Sequence, residues 1–248
     1  MPAPKKLPQT DAIFDQLSRE NTAADASEDT LRVSLDAKAS VKIGVFARGG
    51  RTWARVKALD HDFRADAKLT PFGILLPRYG ELSLYFTRSA LTSDFIVDVV
   101  EMWWQGIKGR FPNVRTLLVN QDNGPENSSR RTQYVKRLAA FTVATGVRVR
   151  LACYPPYHSK YNPIERCWGA LEQHWNGSVL DSVPTALRFA RTMTWKGNHP
   201  LVELVTKSYC KGVRLTGSEM DALEKQIERL PGLEKWFVTF SPTPTVPG

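Results

Sequence analysis

Hydrophobic and polar positions begin to alternate one by one at Leu31. Leu31, Val33 and Leu35 stand against Arg32, Ser34 and Asp36, which is the period of a strand. The alternation returns in VKIGVF (41–46), and ARGGRTWARV (47–56) reads as a Gly-containing turn and a further extended piece. FGILLP and LSLYFT, separated by RYGE, predict a hairpin. Then the period changes. Ser93 predicts an N-cap, and Phe95, Ile96, Val99, Val100, Trp103, Trp104 and Ile107 recur on one helical face until near Gly109 and Pro112. VRTLLVN (114–120) reads as a buried strand and QDNGPEN as a turn. SSRRTQYVKRLAAFTVAT predicts a basic helix ending at Gly146, and VRVRLA the next strand. The Pro/Tyr loop CYPPYHSKY leads into NPIERCWGALEQHW. There Asn162 is expected to cap, Pro163 to open the helix, and Glu165 to occupy its third position.

The flanks are less patterned. Residues 1–30 combine a Pro/Lys-rich start, a short amphipathic stretch (DAIFDQLSREN) and the acidic AADASED, and read as an arm or linker remnant. Residues 31–180 form the α/β unit, and 181–248 are expected to be a helical extension that includes SEMDALEKQIERL and ends in a frayed SPTPTVPG. Antiparallel strands followed by helix–strand–helix–strand–helix predict an α/β fold, a mixed five-stranded sheet with helices on both faces. This is the ribonuclease-H-like order, although pattern alone leaves it one option among several α/β folds.

Charge narrows the partners. The 34 Lys+Arg outnumber the 25 Asp+Glu, giving +9, a balance that favours polyanions, nucleic acid first, although many basic proteins bind none. Cys153, Cys167 and Cys210 form no CxxC pair, and their odd number argues against a disulfide framework. The four histidines show no zinc-site spacing. MPAPKKLPQTDAIF lacks a long apolar h-region and no apolar run reaches membrane-spanning length, so a cytoplasmic protein without a membrane partner is expected. No P-loop, Rossmann fingerprint or Ser/His/Asp spacing is present.

Three acids stand at telling places: Asp36 on the polar side of the first strand, Asp122 just past TLLVN, and Glu165 on the helix after the Pro/Tyr loop. In a sheet of this order their elements bring them to one end. Three carboxylates without a nearby base repel one another and need a divalent cation. All-oxygen ligation selects Mg²⁺ or Mn²⁺, and two such ions serve phosphodiester displacement. Each acid also has a plain reading. Glu165 with Asn162 resembles a capping box, Asp122 a turn residue, and Asp36 a solvent-facing strand residue or a partner of Lys38.

Arg130, Arg131, Lys136 and Arg137 read as a basic helical face, open to DNA-backbone contact or to solvation alone. His158 and Lys160 either reach a phosphate or are exposed loop polars. Trp103, Trp104, Trp168 and Trp175 are expected in the core rather than under nucleobases.

QDNGPENSSRRTQ followed by YPPYHSKYNPIERCW resembles the catalytic domain of DDE transposases, including the Tc1/mariner-like group. More closely, SLDAKASVKIG, RGGRTW, DHDF, TPFGILLP, TSDFIVD, TMTWKGNHPLVELV and GVRLTGSEM resemble bacterial insertion-sequence transposases with a Rhodopirellula-type DDE domain. The resemblance covers roughly residues 5–240 and implies a ribonuclease-H-like core with Mg²⁺-dependent DNA strand cleavage and transfer. It makes Asp36, Asp122 and Glu165 the three catalytic acids and metal ligands. It implies double-stranded DNA partners (transposon ends and target), a homo-oligomer in the active complex, and a bacterial cytoplasmic, nucleoid-associated location. Relatives usually begin with a helix-turn-helix region, and about 30 residues before the first strand are too few for one. The chain is therefore expected to be a fragment, a truncated reading frame or the partner of a separate DNA-binding polypeptide. A catalytically silent nucleic-acid-binding relic and a junction resolvase are the rival readings.

Overall fold

The structure, a computed structural model, describes residues 7–45 and 67–242. The reading of ARGGRTWARV, and the RGGRTW and DHDF segments, lie outside these residues. In chain order the elements are α1 (Thr10–Ala26), β1 (Thr30–Ala37), β2 (Val41–Ile43), β3 (Ala67–Leu76), β4 (Glu81–Thr87) and α2 (Ser93–Ile107). There follow β5 (Thr116–Gln121), α3 (Thr132–Thr145), β6 (Arg148–Cys153), α4 (Glu165–Trp175), α5 (Val183–Thr192), β7 (Leu201–Val205), α6 (Gly217–Glu224), β8 (Ile227–Arg229) and β9 (Phe237–Phe240).

The five predicted strands lie side by side as β4-β3-β1-β5-β6, with β1, β5 and β6 parallel and β3 antiparallel to both of its neighbours, β1 and β4. This is the ribonuclease-H-like sheet. It is larger than expected, because β7 joins one edge and β9 with β8 the other, while β2 pairs with β3. Buried side chains divide between two faces. Leu31, Val33 and Leu35 pack with apolar residues of α1, α2 and α3. Leu75, Leu82, Leu84 and Phe86 pack with Ile164, Trp168, Leu171 and Trp175 of α4 and its approach, and with α5. The four tryptophans expected in the core are all buried.

Both flanks differ from the sequence reading. Within 1–30, α1 is no loose arm: Ile13 and Leu17 are buried in the main core, and Glu20 and Asp25 pair with Arg150 and Arg32. The 181–248 segment is not only helical, since β7 and β9 complete the sheet. SEMDALEKQIERL breaks after Glu224 into β8, because its last residues pair with β9 instead of continuing the helix. Thr92, not Ser93, caps α2, its side chain accepting from the Phe95 amide. α3 starts at Thr132, so Arg130 and Arg131 precede the helix, and Gly146 (φ 71°) ends it in the left-handed conformation that suits glycine. No helix among the described residues is long and apolar enough to cross a membrane.

Candidate active site

In open α/β sheets, ligands gather beyond the carboxyl ends of parallel strands where the connection reverses. Here β1 lies between antiparallel β3 and parallel β5, and that end carries all three acids. Asp36 is near the end of β1, Asp122 follows β5 directly, and Glu165 is the first residue of α4.

The first turn of α4 is fastened to β1 through side chains. Ser34 donates its hydroxyl to Asn162 Oδ1 (2.5 Å), Asn162 Nδ2 donates to the Leu35 carbonyl (2.9 Å), and the Ile164 amide donates to Ser34 Oγ (3.1 Å). Asn162 is buried and spends both ends of its amide on these bonds. The expected capping box is therefore absent. The helix starts at Glu165, after Pro163, with no side-chain cap. One turn on, Trp168 donates its indole N–H to Asp36 Oδ2 at 2.6 Å.

Gly73 makes this approach possible. It pairs with Asp36 across β1 and β3, and a Cβ there would lie 2.6 Å from Ile164 Cδ1 and 2.8 Å from Trp168 Cη2. Forcing a methyl into such a contact costs about 1–3 kcal/mol. Gly73→Ala is expected to lower the denaturant midpoint accordingly, and an unchanged midpoint would mean α4 does not close on β3.

Asp122 sits in a tightly anchored loop. Asn127 Nδ2 donates to Asp122 Oδ1 (2.8 Å), and Gln121 Nε2 donates to the Asn127 carbonyl while its Oε1 accepts from the Tyr134 hydroxyl. Asn123 Oδ1 accepts from the Ser129 amide. The Lys235 carbonyl accepts from both Asn123 Nδ2 and Ser129 Oγ. Ser93, freed from capping, donates to the Glu126 carbonyl.

Electrostatics ties the acids together. Burial pushes the Asp36 carboxyl up to about 7, the Trp168 hydrogen bond opposes this, and the charges of Glu165 and Asp122 push it further up. Among the described residues no Lys or Arg forms an ion pair with any of the three, and the Lys38 partner is Glu172, not Asp36. Nor, among those residues, do three His, Cys, Asp or Glu side chains stand close enough to hold an ion as they are. The carboxylates share one end of the sheet and sense one another, but gripping a cation requires their side chains to turn.

The basic residues fare differently. Arg131 bonds Glu126 (3.0 Å), and Arg137 bonds Asp98 (2.5 Å), tying α3 to α2. These two do not form the free cationic face expected of them, because acids on neighbouring segments neutralise them. Arg130 and Lys136 are exposed. His158 stacks on Tyr161 and meets the edge of Phe14 of α1, and Lys160 lies over the Tyr161 ring.

Sequence reasoning missed Trp168, Gly73, Ser34 and Asn127 as parts of the site. Only Trp168 left a signal, an indole one helical turn beyond Glu165, and it read as core.

The sheet order is that of ribonuclease-H-like proteins. The family profile of the Rhodopirellula transposase DDE domain matches residues 2–242, and the chain belongs to that family. Among solved structures, the Mos1 transposase paired-end complex with left transposon end is similar with a TM-score of 0.51 at 11% identity, over 76% of this chain and 57% of that one. The Mos1 mariner paired end complex with Mn gives 0.49 at 11% identity, over 76% and 58%. The first likeness is one of fold alone. The chain spans about 57% of the length of that transposase. No match is found among curated proteins.

Proposed function

We propose that this chain is a catalytic domain that cuts DNA strands at transposon ends and joins them to a target, with Asp36, Asp122 and Glu165 holding the divalent cations. The carrying observation is Asp36 and Asp122 at the carboxyl ends of β1 and β5 with Glu165 at the start of α4, without an ion-pair partner among the described residues. Burial first, and then the charges of Glu165 and Asp122, disfavour the Asp36 anion. That donor set fits a hard cation, Mg²⁺ or Mn²⁺, better than a soft one, and the two-ion arrangement belongs to the same reading. When bound, such ions supply Lewis-acid stabilisation of the phosphoryl oxygens and an activated water or 3′-hydroxyl.

The chain's own residues decide which oxygens are offered. Trp168 occupies Asp36 Oδ2, leaving Oδ1, and Asn127 occupies Asp122 Oδ1, leaving Oδ2. Glu165, whose side chain makes no hydrogen bond among the described residues, keeps both. The fastening of Asn162 to β1 holds the start of α4 against the strand that carries Asp36.

The test compares wild type with Asp122→Asn. Mn²⁺ is expected to raise the thermal midpoint of the wild type, because a ligand of the folded state stabilises it by mass action, and to leave the variant nearly unmoved. In the same buffer only the wild type should nick labelled DNA and yield joined strands. Equal midpoint shifts in the two proteins would remove the proposed site. Nicking without joining would make the chain a nuclease of another kind.

A further inference from the structure

Beside the carboxylates, where β1 ends, an open groove of about 500 Å³ is lined by residues of four segments. Ala37 and Lys38, which directly follow Asp36, form one wall. Lys68 and Thr70 of β3, Arg88 and the residues just after it, and Lys211 line the other sides. Four of its lining residues are cations and none is an acid. Lys38 is neutralised by Glu172 at 3.0 Å. Lys68, Arg88 and Lys211 are exposed, and among the described residues no carboxylate pairs with them.

Exposed cations such as Arg130 and Lys136 are found elsewhere on the surface; what the groove adds is four cations around one concavity with no acid in its lining. Three unpaired like charges around one concavity repel each other, and their field concentrates anions there. Alanines and Leu91 make part of the remaining lining, and Ser40 and Thr70, which share a 2.7 Å hydrogen bond between their hydroxyls, offer oxygen partners for phosphate beside the cations.

We propose that this groove is a phosphate-backbone track, in which Lys68, Arg88 and Lys211 hold the DNA duplex flanking the bond presented to the carboxylates. The choice of DNA rests on the catalytic reading above; the polyanion site itself rests on the groove. The track lies off the α3 surface, so it is distinct from Arg130 and Lys136. Adjacency gives it its purpose, since a strand seated there passes within one residue of Asp36 along β1.

The test is anisotropy of a fluorescein-labelled, random-sequence duplex in EDTA, over a salt series. Each phosphate contact contributes about 0.9 to the slope of log K against log salt. Lys68→Glu/Arg88→Glu/Lys211→Glu is therefore expected to flatten the slope by about 2–3 and to weaken binding at least about tenfold at low salt. Lys108→Glu/Arg115→Glu/Arg148→Glu changes net charge equally. Its residues cluster around the amino ends of β5 and β6, far from the carboxylates, so it should bind within about threefold of the wild type. If charge reversal lowers the thermal midpoint, the corresponding triple alanine variant replaces it. Wild-type affinity in the groove variant, or equal losses in both triple variants, overturns the proposal. EDTA keeps the two readings apart. A chain that needs the groove to bind DNA but never nicks with Mn²⁺ loses the catalytic reading alone, and one that nicks while ignoring the groove loses this proposal alone.

Discussion

Glu165→Gln is expected to leave the fold intact and to reduce Mn²⁺-supported nicking by at least about a thousandfold, equivalent to roughly 4 kcal/mol of transition-state stabilisation. The substitution keeps the shape of the side chain and removes only its charge. A structural role for that charge has little support in the geometry. Asn162, the residue that a capping box would require, is committed to Ser34 and Leu35, and α4 begins without a side-chain cap. What remains is the attraction between a carboxylate and the amino end of a helix, worth about 0.3–1 kcal/mol. The denaturant midpoint should therefore move little while cleavage collapses. Both are measured on one preparation, using a DNA substrate that the wild type nicks. A variant that nicks within a few-fold of the wild type would sink the assignment of Glu165 to the metal site.

Asp36→Asn should do the opposite to stability. The Asp36 carboxyl titrates near 7 in the folded chain against an ordinary value of 3.8. Between those values the folded state holds a proton that the unfolded state has released, so stability falls as pH rises through this window. Above about 7 the full penalty of a buried anion is present, and below about 4 it is gone. Asn has no charge to bury, and its carbonyl oxygen can still accept from Trp168. In EDTA at pH 8 the variant is expected to be more stable than wild type by about 1–3 kcal/mol, less than the full shift implies once relaxation is allowed for. The advantage should shrink towards pH 4. Added Mn²⁺ should narrow the gap by stabilising the wild type, and the variant should not nick. Thermal midpoints across pH, with and without Mn²⁺, test this. A variant less stable than wild type at pH 8 would show that Asp36 is held by contacts the charge needs.

Local patterns made the centre of this molecule legible. Leu31, Val33 and Leu35 announced β1 and its buried face, Gly146 ended α3, and the turn after TLLVN placed Asp122 at a strand end. The hidden parts depend on residues far apart in the chain. Ser34 meets Asn162 across 128 positions, and Trp168 meets Asp36 across 132, so no window of sequence contains both partners. Gly73 looked like any strand glycine until α4 was packed over it. The short strands β7 and β9 carry little periodicity of their own, and exist because the edges of the sheet offer backbone partners. The basic stretch after Asp122 misled in two ways: Arg137 is neutralised by Asp98, far off on α2, and Arg131 by Glu126 in the loop just before it.

The loop bearing Asp122 is tied down by Lys235, and the strand beside it, β6, is flanked by β9. During synthesis Lys235 leaves the ribosome more than a hundred positions after Asp122. A nascent chain can lay β1, β5 and α3 together early, but the Asp122 loop lacks two of its anchors until residues 235–240 have emerged. A chain interrupted between Glu165 and Lys235 would carry all three acids without a properly fixed place for the second.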